Sequence, residues 1–393
     1  MLEGPGEGDA GYQRNQVNNN SERGVMMSRQ SKLSLAVAAA SLALMTGAAH
    51  ANEVRVYNWS DYIAPDTLEK FTEATGIRVV YDVYDSNEVL DAAMLSGRSG
   101  YDVVVPSNHY LTRQVSAGVY RELDHDKLPN MVNLNPELMD DLESIDPGSR
   151  HSIPYMWGTN GIGYNVERVE AILGEDAPVD SWALIFDPEV TTALKEGGCG
   201  ISMLDSGDEM LSPAMAYLGL SPLSEETADL EAAGDLIAAV RDNITYFHSS
   251  RYISDLANGD ICVAAGYSGD IFQAADRAEE AGRDFTIAYS IPKEGAALWF
   301  DMMAIPADAP NPDNAHAFIN FILEPEIAAA ITEYVVYANP NVAANEFLDP
   351  DILNDTSIYP DQEVMDNLYV AEEKPLAVQR VRTRTWNRVK SGI

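Results

Sequence analysis

Acidic and aromatic residues recur together in this chain where an apolar, strand-like run gives way to a helix. Val54-Arg55-Val56-Tyr57-Asn58 alternates like a strand and ends in Trp59-Ser60-Asp61-Tyr62, with Pro65 opening a helix. Gly200–Leu204 leads into Asp205-Ser206-Gly207-Asp208-Glu209, and Ile261–Ala265 into Gly266-Tyr267-Ser268-Gly269-Asp270. In Ala297–Ile305, Trp299 and Asp301 share one face by the period of two. Trp59, Tyr62, Tyr267, Trp299 and Tyr337 are candidate π faces. Asp61, Glu209, Asp270 and Asp301 are candidate acceptors, and Ser60 and Ser107 candidate hydroxyl or loop contacts. No fixed cation stands among them, so the set suits an organic cation. An ammonium over a ring gains ~0.5–2 kcal/mol. A buried carboxylate–ammonium pair repays its desolvation only when well hydrogen-bonded. Micromolar affinity requires about 8 kcal/mol, within reach of several such groups. Two acidic ends separated by aromatic faces fit a linear diamine.

The elements that must hold these residues follow from the patterning. Pro65–Thr75 reads as a helix stopped by Gly76, and Ile77–Tyr84 as a second strand. A second helix follows, capped by Ser86 and stopped by Gly97, then a third strand at Tyr101–Val105 before Pro106-Ser107. Strand, helix, strand, helix, strand is a doubly wound α/β start, and ligands of such sheets bind at the carboxyl edge. Ile153–Gly158 breaks at glycine and Gly161–Asn165 resumes, a crossover into a second lobe. Tyr289–Gly295 reads as the return. Ala315–Val335 is one long helix or two. Two α/β lobes joined by several crossings enclose a cleft and a hinge.

The 393 residues suffice for two lobes, and 46% hydrophobic content supports a core. Residues 1–26 read as a disordered extension or a mis-set start. Residues 27–51 read as a secretory signal: Arg29 and Lys32, an apolar run from Leu33 to Met45, then Ala49-His50-Ala51. Residues 1–51 carry four basic and four acidic side chains, so the rest keeps 21 basic against 58 acidic, still −37. Such a surface repels nucleic acid and anionic membranes and attracts cations, or it serves solubility, as in a salty habitat. Cys199 and Cys262 are the two cysteines. In an exported chain they suggest one disulfide, with two free buried thiols the alternative. Neither has a CxxC neighbour, so no metal site is expected, and no cofactor either.

Each candidate has a plainer explanation. Ser206 and Glu209 fit a capping box. Asp270 at a helix start is favoured by the macrodipole. Trp299 on a strand suits a core, and Ser86 and Ser107 suit caps. His248 reads as structural, and Trp182 and Trp386 as packing residues. Acids with aromatics also line sugar sites, so a glycoside hydrolase using a carboxylate pair is an alternative. A betaine receptor is disfavoured, because a quaternary ammonium cannot donate N–H bonds to so many acids. No nucleophile elbow, phosphate loop or His-rich metal motif is found.

The runs Tyr57–Asp66, Val79–Leu90, Pro154–Val166, Tyr246–Val263 and Ser290–Ala296, with the Arg380–Gly392 tail, resemble the periplasmic polyamine-binding proteins of ABC transporters. The likeness runs from Glu53 onward. It implies a type II periplasmic binding fold, a polyamine trapped between lobes, docking at an inner-membrane ABC permease, and the Cys199–Cys262 disulfide. It further implies a monomer with no enzymatic activity. The lobes would be 52–157 with 293–338, and 158–292 with 339–393. The family's stacking positions fall on Trp59, Tyr62, Tyr267, Trp299 and Tyr337. Its polar contacts fall on Ser60, Asp61, Ser107, Glu209, Asp270 and Asp301. Tyr267 stands where the putrescine-binding pattern has Trp, Trp299 where it has Phe, and His109-Tyr110 where it has Ser-Phe. The extra acid of spermidine-selective relatives near Ser206 is absent. The ligand expected is putrescine, with spermidine and agmatine as alternatives.

Overall fold

Val54 and Val56 alternate with Arg55, and this lets the first strand, β1 (Glu53–Trp59), bury one face between two parallel neighbours. Those are β2 (Arg78–Tyr84) and the short β3 (Val103–Val104). The structure is a computed structural model and describes residues 52–392. The extension and secretory signal expected at 1–26 and 27–51 lie outside the described residues. Further strands are β4 (Ser152–Asn165), β5 (Ile201–Met203), β6 (Tyr246–Phe247), β7 (Val263–Tyr267), β8 (Ile287–Ser290), β9 (Ala297–Ala304) and β10 (Tyr369–Val370). Their order is β2-β1-β3-β9-β4-β7-β5-β6, with β8 beside β4 and β10 beside β9. β1, β2 and β3 are mutually parallel, as are β7, β5 and β6. β9 and β4 join the two sets by antiparallel pairing.

β4 is the member common to both halves. Its first part, Ser152–Thr159, pairs with β9, and its second part, from Asn160, pairs with β7 and β8. The break expected at Gly158 does not occur: the strand is continuous. Gly158 is needed for close approach, since a Cβ there would come within 3.0 Å of Ser268, Trp299 and Tyr337. Gly269 makes the other side of this slot, for its Cβ would meet the Tyr337 ring at 2.4 Å. Two glycines on separate elements thus admit one tyrosine ring.

The first two helices end or begin at expected caps, whereas Ser107, expected as a cap, makes no side-chain cap and donates to Asp301. Thr67–Thr75 ends at left-handed Gly76, and Ser86 caps Asn87–Leu95 by accepting from the Val89 N–H. Ala315–Val335 resolves into two helices, Pro312–Ile322 and Pro325–Val335, because Pro325 starts a new one. The second ends at Val336, whose φ of 55° is unusual for a β-branched residue and turns the chain just before Tyr337. The disulfide Cys199–Cys262 is formed, joining the chain just ahead of β5 and β7 at a Cα–Cα distance of 5.4 Å. Closing a loop of 63 residues contributes about 4 kcal/mol on the chain-entropy model. Trp182 and Trp386 are both buried, as packing residues should be. His248 is structural: its Nδ1 accepts from the Ser250 and Arg251 N–H groups at the start of the Arg251–Asn258 helix.

Candidate functional site

The ends of β1 and β7 and the middle of β9 converge on a cavity. Ten of the eleven expected site residues line it: Trp59, Ser60, Tyr62, Ser107, Glu209, Tyr267, Asp270, Trp299, Asp301 and Tyr337. Asp61 does not. Its left-handed backbone (φ 55°) directs the side chain to Arg277, 2.7 Å away on the Ser268–Glu280 helix. The sequence reading put an acceptor there because acids at strand ends look alike; the local turn and a distant arginine decide otherwise.

The aromatic wall is a connected set. Trp59 meets Tyr267 edge-on at 6.2 Å, Tyr267 meets Trp299 at 5.9 Å, Trp299 meets Tyr337 at 5.5 Å, and Tyr337 meets Tyr62 at 5.0 Å. Polar contacts fix the rings. The Trp59 indole N–H donates to the Val105 carbonyl, and that of Trp299 to Asn160 Oδ1 at 2.8 Å. Trp299 is thus both a packed strand residue and a cavity wall.

Each carboxyl is held by hydroxyl donors. Ser107 Oγ donates to Asp301 Oδ1 at 2.6 Å, and Asn87 in turn donates to Ser107. Tyr252 and Tyr337 donate to the two oxygens of Asp270 at 2.6 and 2.8 Å. Tyr267 donates to Glu209 at 2.8 Å. The capping-box explanation of Glu209 fails, because Ser206 makes no side-chain cap and instead donates to Glu88 at 3.1 Å.

Burial governs the electrostatics. It pushes Asp301 and Asp270 up to about 7 and Glu209 up to about 8, with Glu88 adding repulsion at Glu209; the hydroxyl bonds only partly oppose it. No lysine or arginine lines this cavity. His109, also in the wall, is driven down to about 4 by burial and stays neutral. Carboxyls held this way favour any bound species that brings its own positive charge.

Three lining residues escaped the sequence reading as site members: Asp85, His109 and Ser249. Asp85 follows β2 as Asp61 follows β1, so the strand-end rule could have found it. His109 lies two residues beyond Ser107 and was noticed only as a difference from relatives. Ser249 follows β6 and carried no distinguishing signal. Among the described residues no group of acids, histidines and cysteines could hold a metal ion.

A two-lobed α/β frame with a cavity at converging strand ends defines a solute-binding protein. Residues 66–358 match the model of the bacterial extracellular solute-binding proteins, and the chain belongs to that family. It is 57% identical over 368 residues to the putrescine-binding periplasmic protein SpuD of Pseudomonas aeruginosa, covering 93% of this chain and 100% of that one. It is 49% identical to the putrescine-binding periplasmic protein PotF of Escherichia coli, covering 92% and 98%. A solved structure described as a putative spermidine/putrescine ABC transporter from Listeria monocytogenes superposes with a TM-score of 0.77. It is 35% identical and covers 86% of this chain and 99% of its own.

Proposed function

We propose that this chain is a periplasmic receptor for a polyamine, with putrescine the preferred ligand, and that it delivers the ligand to an inner-membrane ABC permease. The observation that carries the reading is the set of three carboxyls, the buried Asp301 and Asp270 and the half-buried Glu209, bonded only to neutral donors and walled by aromatic rings. One ammonium sits by Asp301 and the other towards Asp270 or Glu209, with the methylenes against Trp59, Tyr267 and Trp299. The two relatives named for putrescine support the ligand, and their periplasmic description supports the export signal read at Met27–Ala51. Family membership favours transport over catalysis, and the protein acts as a monomer without a cofactor.

Lobe closure is the working motion: ligand that binds the closed arrangement better shifts the population towards it. The lobes are taken as 52–157 with 293–338, and 158–292 with 339–393. One adjustment is supported by packing: Asn341 bridges to Leu134, so the stretch just after Ala338 belongs with the first lobe.

Calorimetric titration of the protein, refolded to remove bound ligand, with putrescine, cadaverine, agmatine and spermidine tests this. Saturable one-to-one binding with putrescine tightest is the expected result. Tighter agmatine or spermidine would correct the ligand, and silence with all four would refute the receptor.

A further inference from the structure

Behind the aromatic wall lies a second cavity, which shares His109, Glu209 and Trp299 with the first. Three polar atoms on its lining are buried with no hydrogen-bond partner among the described residues: Arg382 Nη1, the Tyr369 hydroxyl and His109 Nδ1. Arg382 is only 3% exposed. Its Nε donates to Asp208 at 2.6 Å, and its Nη2 to the Asp208 carbonyl and to Ser212, so only the Nη1 edge is left over. Lys374 adds an ammonium whose side chain is 8% exposed; it donates to the Leu223 carbonyl and lies 3.6 Å from the Glu372 carboxylate. Of the acids in the lining, Asp208 is bonded to Arg382 and Gln379, Glu209 receives the Tyr267 hydroxyl, and the exposed Glu372 lies beside Lys374.

The two compartments therefore differ in character. The first offers carboxylates and π faces. The second adds N–H and O–H donors without a partner, which favour an acceptor. Buried donors of this kind are normally matched by a partner.

We propose that the two cavities form one bipartite site, and that the second takes the acceptor-bearing tail of a mono-N-acylated diamine. Its free ammonium lies among the carboxyls of the first. The acyl carbonyl, or a carboxylate at the tail's end, accepts from Arg382 Nη1 and the Tyr369 hydroxyl. A third ammonium, as in spermidine, brings no acceptor and leaves the Arg382 Nη1 and Tyr369 donors unmatched. This inference rests on the polyamine reading of the first cavity and extends its ligand class.

The test is titration of the protein with putrescine, N-acetylputrescine and N-succinylputrescine. It is repeated in Tyr369→Phe, which removes only a hydroxyl without a protein partner, and in Lys374→Met. Both acylated ligands are expected to bind, the succinyl compound more tightly. Tyr369→Phe is expected to weaken them by about five- to tenfold, the scale of one lost hydrogen bond, while leaving putrescine within about twofold. Lys374→Met should weaken the succinyl compound selectively. Binding of putrescine without either acylated ligand would overturn the proposal and leave the polyamine receptor standing. Acyl binding indifferent to Tyr369→Phe would overturn the placement of the tail. Silence with all three ligands would overturn both readings.

Discussion

Within six residues after β5, three acids meet different fates. Asp205 is paired by Lys390, at 2.5 Å, and Asp208 by Arg382, at 2.6 Å. Glu209, one residue on, receives only the Tyr267 hydroxyl. The C-terminal helix, Leu376–Ser391, supplies both cations and covers that side of the sheet edge; it supplies none to the cavity. The carboxyl shifts record the contrast. Asp208 is held below its ordinary value by Arg382, despite burial, whereas Glu209 is driven up by burial. An acid that the fold neutralises is a structural part; an acid left with neutral donors is disposed to take a cation from outside. Asp61 with Arg277 belongs to the first kind, and Asp301 and Asp270 to the second.

The sharpest way to break this comparison is at Asp301. Asp301→Asn keeps the shape and removes the charge, so putrescine affinity should fall by about 100-fold or more, the scale of truncating a buried charge pair, with Tm unchanged or raised. Next comes Arg382→Met, which strands Asp208 as a buried charge. Unfolding in urea should show a loss of about 3 kcal/mol, and correct folding of the remainder is checked by circular dichroism.

The pH dependence should separate the two kinds of acid by sign. In the unfolded chain carboxyls titrate near ~4; in the fold Asp301 and Asp270 titrate at about 7 and Glu209 at about 8. Between those values the native state binds more protons than the unfolded one, so these three lower the stability of ligand-free protein as pH rises from about 4 to 8. Asp208, with its lowered value, acts oppositely: its contribution is present above the unfolded value and lost as pH falls through the folded one. Asp301→Asn should flatten the decline of Tm between pH 5 and 8, on the order of a few degrees. An equal decline in wild type and variant would contradict the assignment. The smallest effect belongs to Asp61→Asn. Its pair with Arg277 is 40% and 36% exposed, so screening limits it to under about 1 kcal/mol, a two- to fourfold change in affinity that fades in salt.

Most of the fold was legible from the chain itself. Alternation in Val54–Val56, the Ser86 cap and Gly76 are local signals, and they placed β1, β2 and the first helices. The site was largely legible too, because strand-end acids and aromatics follow from where each strand stops. What escaped depends on partners far along the chain. The pairing of Asp61 could not be read from the chain because it is set by Arg277, more than 200 residues away, and by its own left-handed turn. The capping role weighed for Glu209 was displaced by Tyr267 and by Glu88's claim on Ser206. The expected break at Gly158 misread a glycine that makes room for Trp299 and Tyr337. The donor-lined second compartment needed the fold to bring Arg382 and Tyr369 behind Trp299.

The central claim is that Asp301, Asp270 and Glu209 are partly protonated until an ammonium arrives. Titration calorimetry with putrescine at pH 7, in buffers of different protonation enthalpy, reads the protons exchanged on binding. The account predicts net release, on the order of one proton per ligand at pH 7 and diminishing towards pH 9, with less release in Asp301→Asn. Heats independent of buffer at pH 7, with putrescine bound tightly, would show the carboxyls already ionised and would contradict it.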